Sequence, residues 1–113
     1  MSDQTIEEMI QAKNLNAPRV TPDQIEALIA RVSHTYHVQG NSTFCHAFLD
    51  GKFLLATGHS ACVSAENFDL GIGRKIAFDN MVKPMRDKLW ELEGYRLYMS
   101  AMDNLKLFQE GSV

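Results

Sequence analysis

The 113-residue chain lacks any apolar run that approaches the roughly 20 residues of a membrane-spanning helix. Its first ten residues, MSDQTIEEMI, are acidic and lack the charged-then-apolar order of a secretory signal peptide. The sequence also has no internal repeat and no low-complexity segment. These absences predict a protein that works away from membranes, inside the cell that makes it.

Cysteine is scarce, and the two present, Cys45 and Cys62, are too few for a disulfide framework and predict reduced cytosolic thiols. His59 and Cys62 have a spacing that suits zinc, but the chain has no Cys-x-x-Cys pair. Cys45 and His46 would point to opposite faces of a strand, so only one of them can join a common site. We predict no metal and no cofactor, and interpret both cysteines as small core residues.

An excess of positive charge is also missing, since 11 basic and 14 acidic residues give a net charge of −3. General attraction to nucleic acid is therefore excluded, and direct nucleic-acid binding is not expected. Hydrophobic residues make up 45% of the chain and charged residues 22%, as is typical of soluble globular proteins. The length fits a single domain, residues 1–113, with one core.

A β-hairpin is predicted at Asp50-Gly51, because both central residues of a type I′ turn need positive φ. A two-residue loop places Leu49 opposite Lys52, and side chains then alternate between the two faces. The predicted core face consists of Phe44, His46, Phe48, Phe53 and Leu55. The opposite face is small and apolar, and one hairpin is too little sheet to be stable alone. We therefore expect a homo-oligomer, at least a dimer, that covers the second face.

A long amphipathic helix is predicted after a polar elbow at 57–63, with Ser64 as its N-cap. Its apolar stripe is Phe68, Ile72, Ile76, Ala77 and Met81. Gly71 and Gly73 lie within this helix and each costs roughly 1 kcal/mol relative to alanine. The two glycines therefore predict close approach of another backbone or of a ligand.

Two residues are expected to interrupt the helical region in the C-terminal half of the chain. Pro84 predicts a kink or an end near Lys83, and Gly94 predicts a stop after a second helical segment. Apolar residues at helical spacing then predict a last helix over 95–108, followed by a fraying tail.

Upstream of the hairpin, Thr21-Pro22-Asp23-Gln24 predicts a helix start with a capping box. A weaker helical pattern covers 5–15, and a break is expected at 14–18. Residues 33–42 fit either a loop or a short edge strand. The predicted fold is therefore α+β, with two N-terminal helices, a central antiparallel β-hairpin, a long kinked helix and a C-terminal helix.

The order of several short motifs resembles a small family of tailed-phage proteins, labelled by the phage genes 49 and 66 of its founding members. The motifs are APRVTP, TFC, DGKF, TGHSAC, ENFD, IGRKIA and WELEGY. The resemblance covers a family-like core over 17–97, and departs from the pattern in an N-terminal helical extension (1–16) and a C-terminal helix and tail (98–113). It implies a phage origin and expression in the host bacterial cytoplasm. It brings no catalytic or binding residue with it.

Two surfaces are candidates for function. The elbow and the long helix carry the candidate binding surface, formed by His59, Ser60, Asn67, Arg74 and Lys75. The candidate acidic partner surface consists of Asp23, Asp79, Asp87 and Glu91. No catalytic set stands out, so we predict that the chain is not an enzyme.

The predicted function is that of a phage-encoded accessory protein that binds and inhibits a host protein, such as a component of a bacterial antiviral defence system. One alternative is an oligomer that sequesters a small nucleotide-like signal near Ser60, Arg74 and Lys75. The other is a small metal- or thiol-dependent hydrolase that uses Cys62 with His59 as base.

Overall fold

The computed structural model describes residues 2–13 and 17–111, with side chains up to residue 105. The elements in chain order are α1 (Asp3–Ala12), α2 (Pro22–Ile29), β1 (Val32–Gln39), β2 (Ser42–Leu49), β3 (Phe53–Ala61) and the long helix α3 (Leu70–Gly111). A 3-10 turn at Ala65–Asn67 lies between β3 and α3. The strands form one antiparallel sheet in the order β1-β2-β3. The α+β class is thus confirmed.

Local signals fix the two N-terminal helices. Thr21 Oγ1 accepts the Gln24 N–H at 3.3 Å, and Gln24 Oε1 accepts the Thr21 N–H at 2.9 Å, which confirms the capping box. Helix α1 begins at Asp3 with Ser2 as its N-cap, two residues earlier than predicted. The predicted break at 14–18 falls partly on residues 14–16, outside the described residues.

The sheet has a third strand that the predicted hairpin left out. Residues 33–42, expected to be a loop or a short edge strand, form most of β1 and its turn into β2. The predicted elbow is also shorter than expected, because β3 continues through residues 57–61. Pairing with β2 satisfies the backbone of both segments, which their polar composition does not reveal.

The turn at Asp50-Gly51 is confirmed, with φ of 56° and 69° at its two residues. The predicted register is wrong by one residue, because Lys52 belongs to the loop and Leu49 pairs with Phe53. A β-bulge at Leu55 then shifts the pairing by one further residue, so that Ala47 pairs with Ala56 and His46 with Thr57.

The predicted core face of the hairpin is wrong. Helix α3 covers the opposite face of β2, where Thr43, Cys45 and Ala47 are almost completely buried. These small side chains let the helix approach closely, whereas the phenylalanines would hold it away. Phe44, His46 and Phe48 lie on the outward face, and only Leu55 of the predicted set enters the core.

Two glycines mark the closest contacts between helix and sheet. A Cβ on Gly58 would lie 1.9 Å from the Ala77 carbonyl oxygen, and a Cβ on Gly73 would lie 2.7 Å from Thr43 Oγ1. The close approach predicted at Gly73 is therefore confirmed. The same prediction is wrong for Gly71, whose Cβ would meet only the Asp69 side chain at 3.3 Å.

Helix α3 starts later and continues further than predicted. Ser64 precedes the 3-10 turn, and the Asp69 carboxylate accepts the Ile72 N–H at 2.9 Å at the start of α3. Neither Pro84 nor Gly94 ends the helix, which runs unbroken for 42 residues. Packing on both sides of Pro84 outweighs the local cost of the proline, because buried side chains recur every fourth position at Ala77, Met81, Met85 and Leu89.

The predicted apolar stripe of this helix is partly wrong. Ala77 and Met81 are buried, but Ile72 and Ile76 are 62% and 44% exposed because Gly73 and Ala77 face the sheet instead. The C-terminal half of α3 helps to give the molecule a longest dimension of 71 Å. Among the described residues, no helix is both long and apolar enough to cross a membrane.

Candidate functional site

The predicted binding surface does not form one site. Ser60 and Asn67 line a cavity of about 190 Å³ between the end of β3 and the start of α3, with Asn41, Thr43 and Asp69 nearby. The walls offer hydroxyl, amide and carboxylate groups, and neither predicted cation is among them. The two residues therefore line a largely apolar cavity that also includes Phe68, Ile72 and Ile76 and has no basic side chain.

The other three residues of that surface lie elsewhere. The His59 ring stacks on Phe44 with centroids 4.7 Å apart, on the outward face of the sheet. The Arg74 guanidinium lies 5.2 Å from the centre of the Tyr36 ring, on the side of β1. Lys75 donates to both carboxylate oxygens of Asp79, at 2.8 and 2.7 Å. Helix α3 turns by about 100° from Arg74 to Lys75, so these two side chains leave the helix in different directions, and His59 lies on β3.

The predicted acidic surface is largely neutralised by neighbouring lysines. Lys75 pairs with Asp79 at 2.7 Å and Lys83 pairs with Asp87 at the same distance. Glu91 lies 3.9 Å from the ammonium of Lys88. Asp23 lies on α2, apart from the other three. A row of i, i+3 and i, i+4 pairs reduces the electrostatic field that would attract a basic partner.

The two thiols have separate environments. Cys45 is buried, and burial raises the pKa of its thiol, although its contact with Tyr36 acts in the opposite direction. The Cys62 thiol donates to the Ser64 carbonyl oxygen at 3.0 Å. Within residues 2–13 and 17–111, no three histidine, cysteine or acidic side chains form a metal-binding cluster. Cys45 thus behaves as a core residue, as the sequence predicts.

A cleft between the start of α2 and the later part of α3 was missed by sequence reasoning. We name it the arginine cleft, and its volume is about 290 Å³. Its lining residues are Arg19, Val20, Gln24, Glu93, Arg96, Leu97 and Ser100. The four residues from α3 follow the i, i+3, i+4, i+7 spacing of one helix face, while Arg19 and Gln24 flank the capped start of α2.

Both guanidinium groups in the arginine cleft are paired with carboxylates. Arg19 bonds to Glu7 of α1, with its Nε donating to Oε2 at 3.3 Å, and this hydrogen bond lowers the pKa of the Glu7 carboxyl. Arg96 pairs with Glu93 at 2.9 Å and its side chain is 78% exposed. Exposed ion pairs of this kind contribute little stability and exchange readily. The cleft therefore offers the exposed Arg96 guanidinium to an anion that replaces Glu93, whereas the side chains of the Arg19–Glu7 pair beside it are only 30% and 12% exposed.

The outward face of the sheet is a second notable surface, which we name the outer sheet face. It carries no lysine, arginine or acidic side chain, and consists of Ser33, Thr35, His37, Phe44, His46, Phe48, Leu54, Thr57 and His59. His46 Nδ1 and Thr57 Oγ1 lie 2.9 Å apart, and Phe44 lies between the rings of His37, His46 and His59. Aromatic and neutral groups of this kind are enriched where proteins meet partners.

The fold and the cleft define a small α+β protein in which a three-stranded meander packs on one long helix. The model of the Phage protein (N4 Gp49/phage Sf6 gene 66) family matches residues 20–100 of this chain. The chain belongs to that family, which confirms the resemblance seen in its motifs and a phage origin. Neither the curated proteins nor the solved structures include a match.

Proposed function

We propose that this protein is a non-enzymatic phage accessory protein that sequesters a small nucleotide-like signal in the cytoplasm of the infected bacterium. The observation that carries the proposal is the arginine cleft, where Arg19 and Arg96 face one concave volume with Gln24 and Ser100. Guanidinium groups bind phosphate through paired N–H donors, and amide and hydroxyl groups recognise the sugar or base. The cleft thus replaces the elbow as the ligand site of the sequestering hypothesis.

The size and wall chemistry of the cleft agree with such a ligand. Its volume of about 290 Å³ is close to the lower limit of about 300 Å³ for small-molecule sites. Val20 and Leu97 supply apolar wall for a base or a ribose. Because Glu93 partly neutralises Arg96, the ligand must displace a carboxylate, which favours a multiply charged phosphate over a single carboxylate group.

Charge also favours a small ligand over a basic host surface. Three of the four residues in the predicted acidic surface, Asp79, Asp87 and Glu91, lie within ion-pair distance of a lysine on the same helix. A mimic of a polyanion needs unbalanced negative charge, and these pairs supply nearly balanced charge. The non-enzymatic part of the proposal is supported by the Cys62 thiol, which donates to a backbone carbonyl, and by the His59 ring, which lies on Phe44.

Isothermal titration calorimetry against cyclic and linear nucleotides tests the proposal. The variant is Arg96→Glu, and the matched control is Arg86→Glu. Arg86 of α3 pairs with Glu26 of α2, so it links the same two helices but lies outside the cleft. We expect the Arg96 variant to bind at least about tenfold more weakly, because a charge-assisted hydrogen bond contributes roughly 1.5–3 kcal/mol. The control should bind like the unaltered chain.

The double variant Arg74→Glu with Lys75→Glu separates the cleft from the elbow. Both residues lie outside the arginine cleft, so this variant should retain the nucleotide. Loss of binding here, with binding intact in the Arg96 variant, would return the ligand to the elbow. If no nucleotide binds to the unaltered chain in the calorimeter, the sequestering proposal is overturned.

Direct inhibition of a host protein is the second candidate function, and the outer sheet face favours it. Its aromatic side chains, with Phe44 stacked on His46 and His59, suit a protein partner better than a free phosphate. In affinity capture from infected cells, Leu54→Lys should lose the host protein because Leu54 is half exposed on this face. Val63→Lys is the matched control, since Val63 is fully exposed and lies after the end of β3. Equal capture by both variants would remove this candidate.

A further inference from the structure

The second half of α3 carries an apolar stripe that the described chain leaves uncovered. Tyr95, Tyr98, Met102 and Leu105 follow the 3-4-3 spacing of a coiled-coil seam, and Met99 lies beside them. These five side chains are 39% to 63% exposed. We infer that this stripe, named the α3 seam, is a dimerisation surface that packs against the α3 seam of a second copy in antiparallel orientation.

The α3 seam faces away from the arginine cleft. At about 100° per residue, the seam residues and the cleft residues of the same helix segment are centred roughly 180° apart. Helix α2 lies on the cleft side, where Gln24 and Arg96 line one volume. On the other side, the five seam side chains keep 39% to 63% of their surface exposed. A helix segment of about ten residues without tertiary packing has marginal stability in water. An uncovered apolar stripe on such a segment therefore indicates a partner.

The exposed area is enough for a stable pair. Five side chains that are about half exposed, at roughly 200 Å² each when fully exposed, offer about 500 Å² per copy. Two copies would bury about 1,000 Å², which reaches the lower limit for a specific interface. The seam alone therefore accounts for a weak to moderate dimer without any contribution from the sheet.

A second copy fits the α3 seam better than an unrelated helix because the surface is complementary to itself. An antiparallel two-fold axis near Ser100 brings each tyrosine against an aliphatic side chain of the other copy. On one side the seam is flanked by the small, uncharged residues Gly94 and Ala101, so like charges do not meet across the axis on that side. A Cβ on Gly94 would meet open space in the described chain, which leaves room for a second helix.

The arrangement has a consequence for ligand binding that rests on the proposed function. Because each seam lies opposite the arginine cleft of its own helix, pairing through the seams leaves both clefts open on the outside. A dimer then holds two independent ligand sites. The ligand stoichiometry should be one per chain, with the same affinity in the dimer and in the separated chains.

Analytical ultracentrifugation of the full chain without ligand tests the seam separately from the proposed function. The unaltered protein should sediment as an assembly of at least two 12.7 kDa chains at micromolar concentration. The double variant Tyr98→Glu with Met102→Glu should raise the dissociation constant on the order of 100-fold or more, because it buries unpaired carboxylates. Asn104→Glu, on the opposite face of the same helix turn, is the matched control and should assemble normally.

Each outcome decides the inference. A single-chain mass for the unaltered protein across the concentration range overturns it, and so does assembly of the seam variant that equals the unaltered protein. A larger assembly that separates in the seam variant supports the seam. Circular dichroism must show equal helix content in the variants. A Met99→Cys variant tests the orientation of the two helices. It should form a disulfide between copies only in the antiparallel arrangement, where position 99 of each copy lies near the two-fold axis.

Discussion

Replacing Gly58 by alanine tests the contact that determines which face of the sheet receives α3. The added Cβ would lie 1.9 Å from the Ala77 carbonyl oxygen and 2.5 Å from the Met81 backbone nitrogen. Both atoms belong to the backbone of α3, so a side-chain rotation cannot relieve the overlap. The helix must move away from β3, where Ala77 and Met81 are buried.

The cost should lie at the upper end of the range for an overpacked core, about 3 kcal/mol. At roughly 2.1 cal/mol/K of unfolding entropy per residue, the chain should lose about 12 °C in melting temperature. Gly94→Ala is the matched control, because a Cβ there meets no atom of the described chain within 4 Å. That variant should gain about 1 kcal/mol from improved helix propensity.

Urea unfolding followed by circular dichroism, at one fixed protein concentration, measures both changes. The Gly58 variant should show a lower midpoint with an unchanged slope, since the surface exposed on unfolding stays the same. A Gly58→Ala free energy of unfolding within about 0.5 kcal/mol of the unaltered chain would refute the packing of α3 on this face of the sheet.

Three further predictions concern charge, thiols and metals. The Arg31 guanidinium lowers the pKa of the Asp50 carboxyl. The stabilising contribution of this ion pair is therefore present at neutral pH and is lost as the pH falls through the lowered pKa. Acid unfolding of the Arg31→Gln variant should show a smaller dependence of the free energy of unfolding on pH. Cys45 should resist alkylation until the chain unfolds, whereas rapid modification of the native protein would contradict its burial. Exhaustive chelation should leave the melting temperature unchanged, and a marked fall would reveal a structural metal.

Sequence reasoning succeeded where the signal is local. Thr21 and Gln24 cap the same helix that they begin, and Asp50 and Gly51 adopt the positive φ values that their turn requires. Each of these two signals depends on residues that are neighbours in the chain, and no contact in the structure opposes it.

The errors arise where distant contacts outweigh local preference. Helix α3 packs on the small-residue face of β2, which leaves Phe44 and Phe48 outside. The shifted register at the turn places Phe53 on the face opposite to Phe48, because a single-residue shift exchanges the two faces of a strand. Packing carries α3 through Pro84, although proline normally ends a helix. The arginine cleft joins Arg19 to Arg96 from opposite parts of the chain, so no spacing rule could have paired them.

The central claim is that the arginine cleft holds a phosphate-bearing small molecule during infection. The most direct measurement is to purify the tagged protein from infected cells, denature it, and identify the released small molecules by mass spectrometry. The account predicts a nucleotide-like compound at about one per chain, present with the Arg86→Glu control and absent with Arg96→Glu. Release of no such compound from the unaltered protein, while a host protein co-purifies with it in equal amount, would contradict the account.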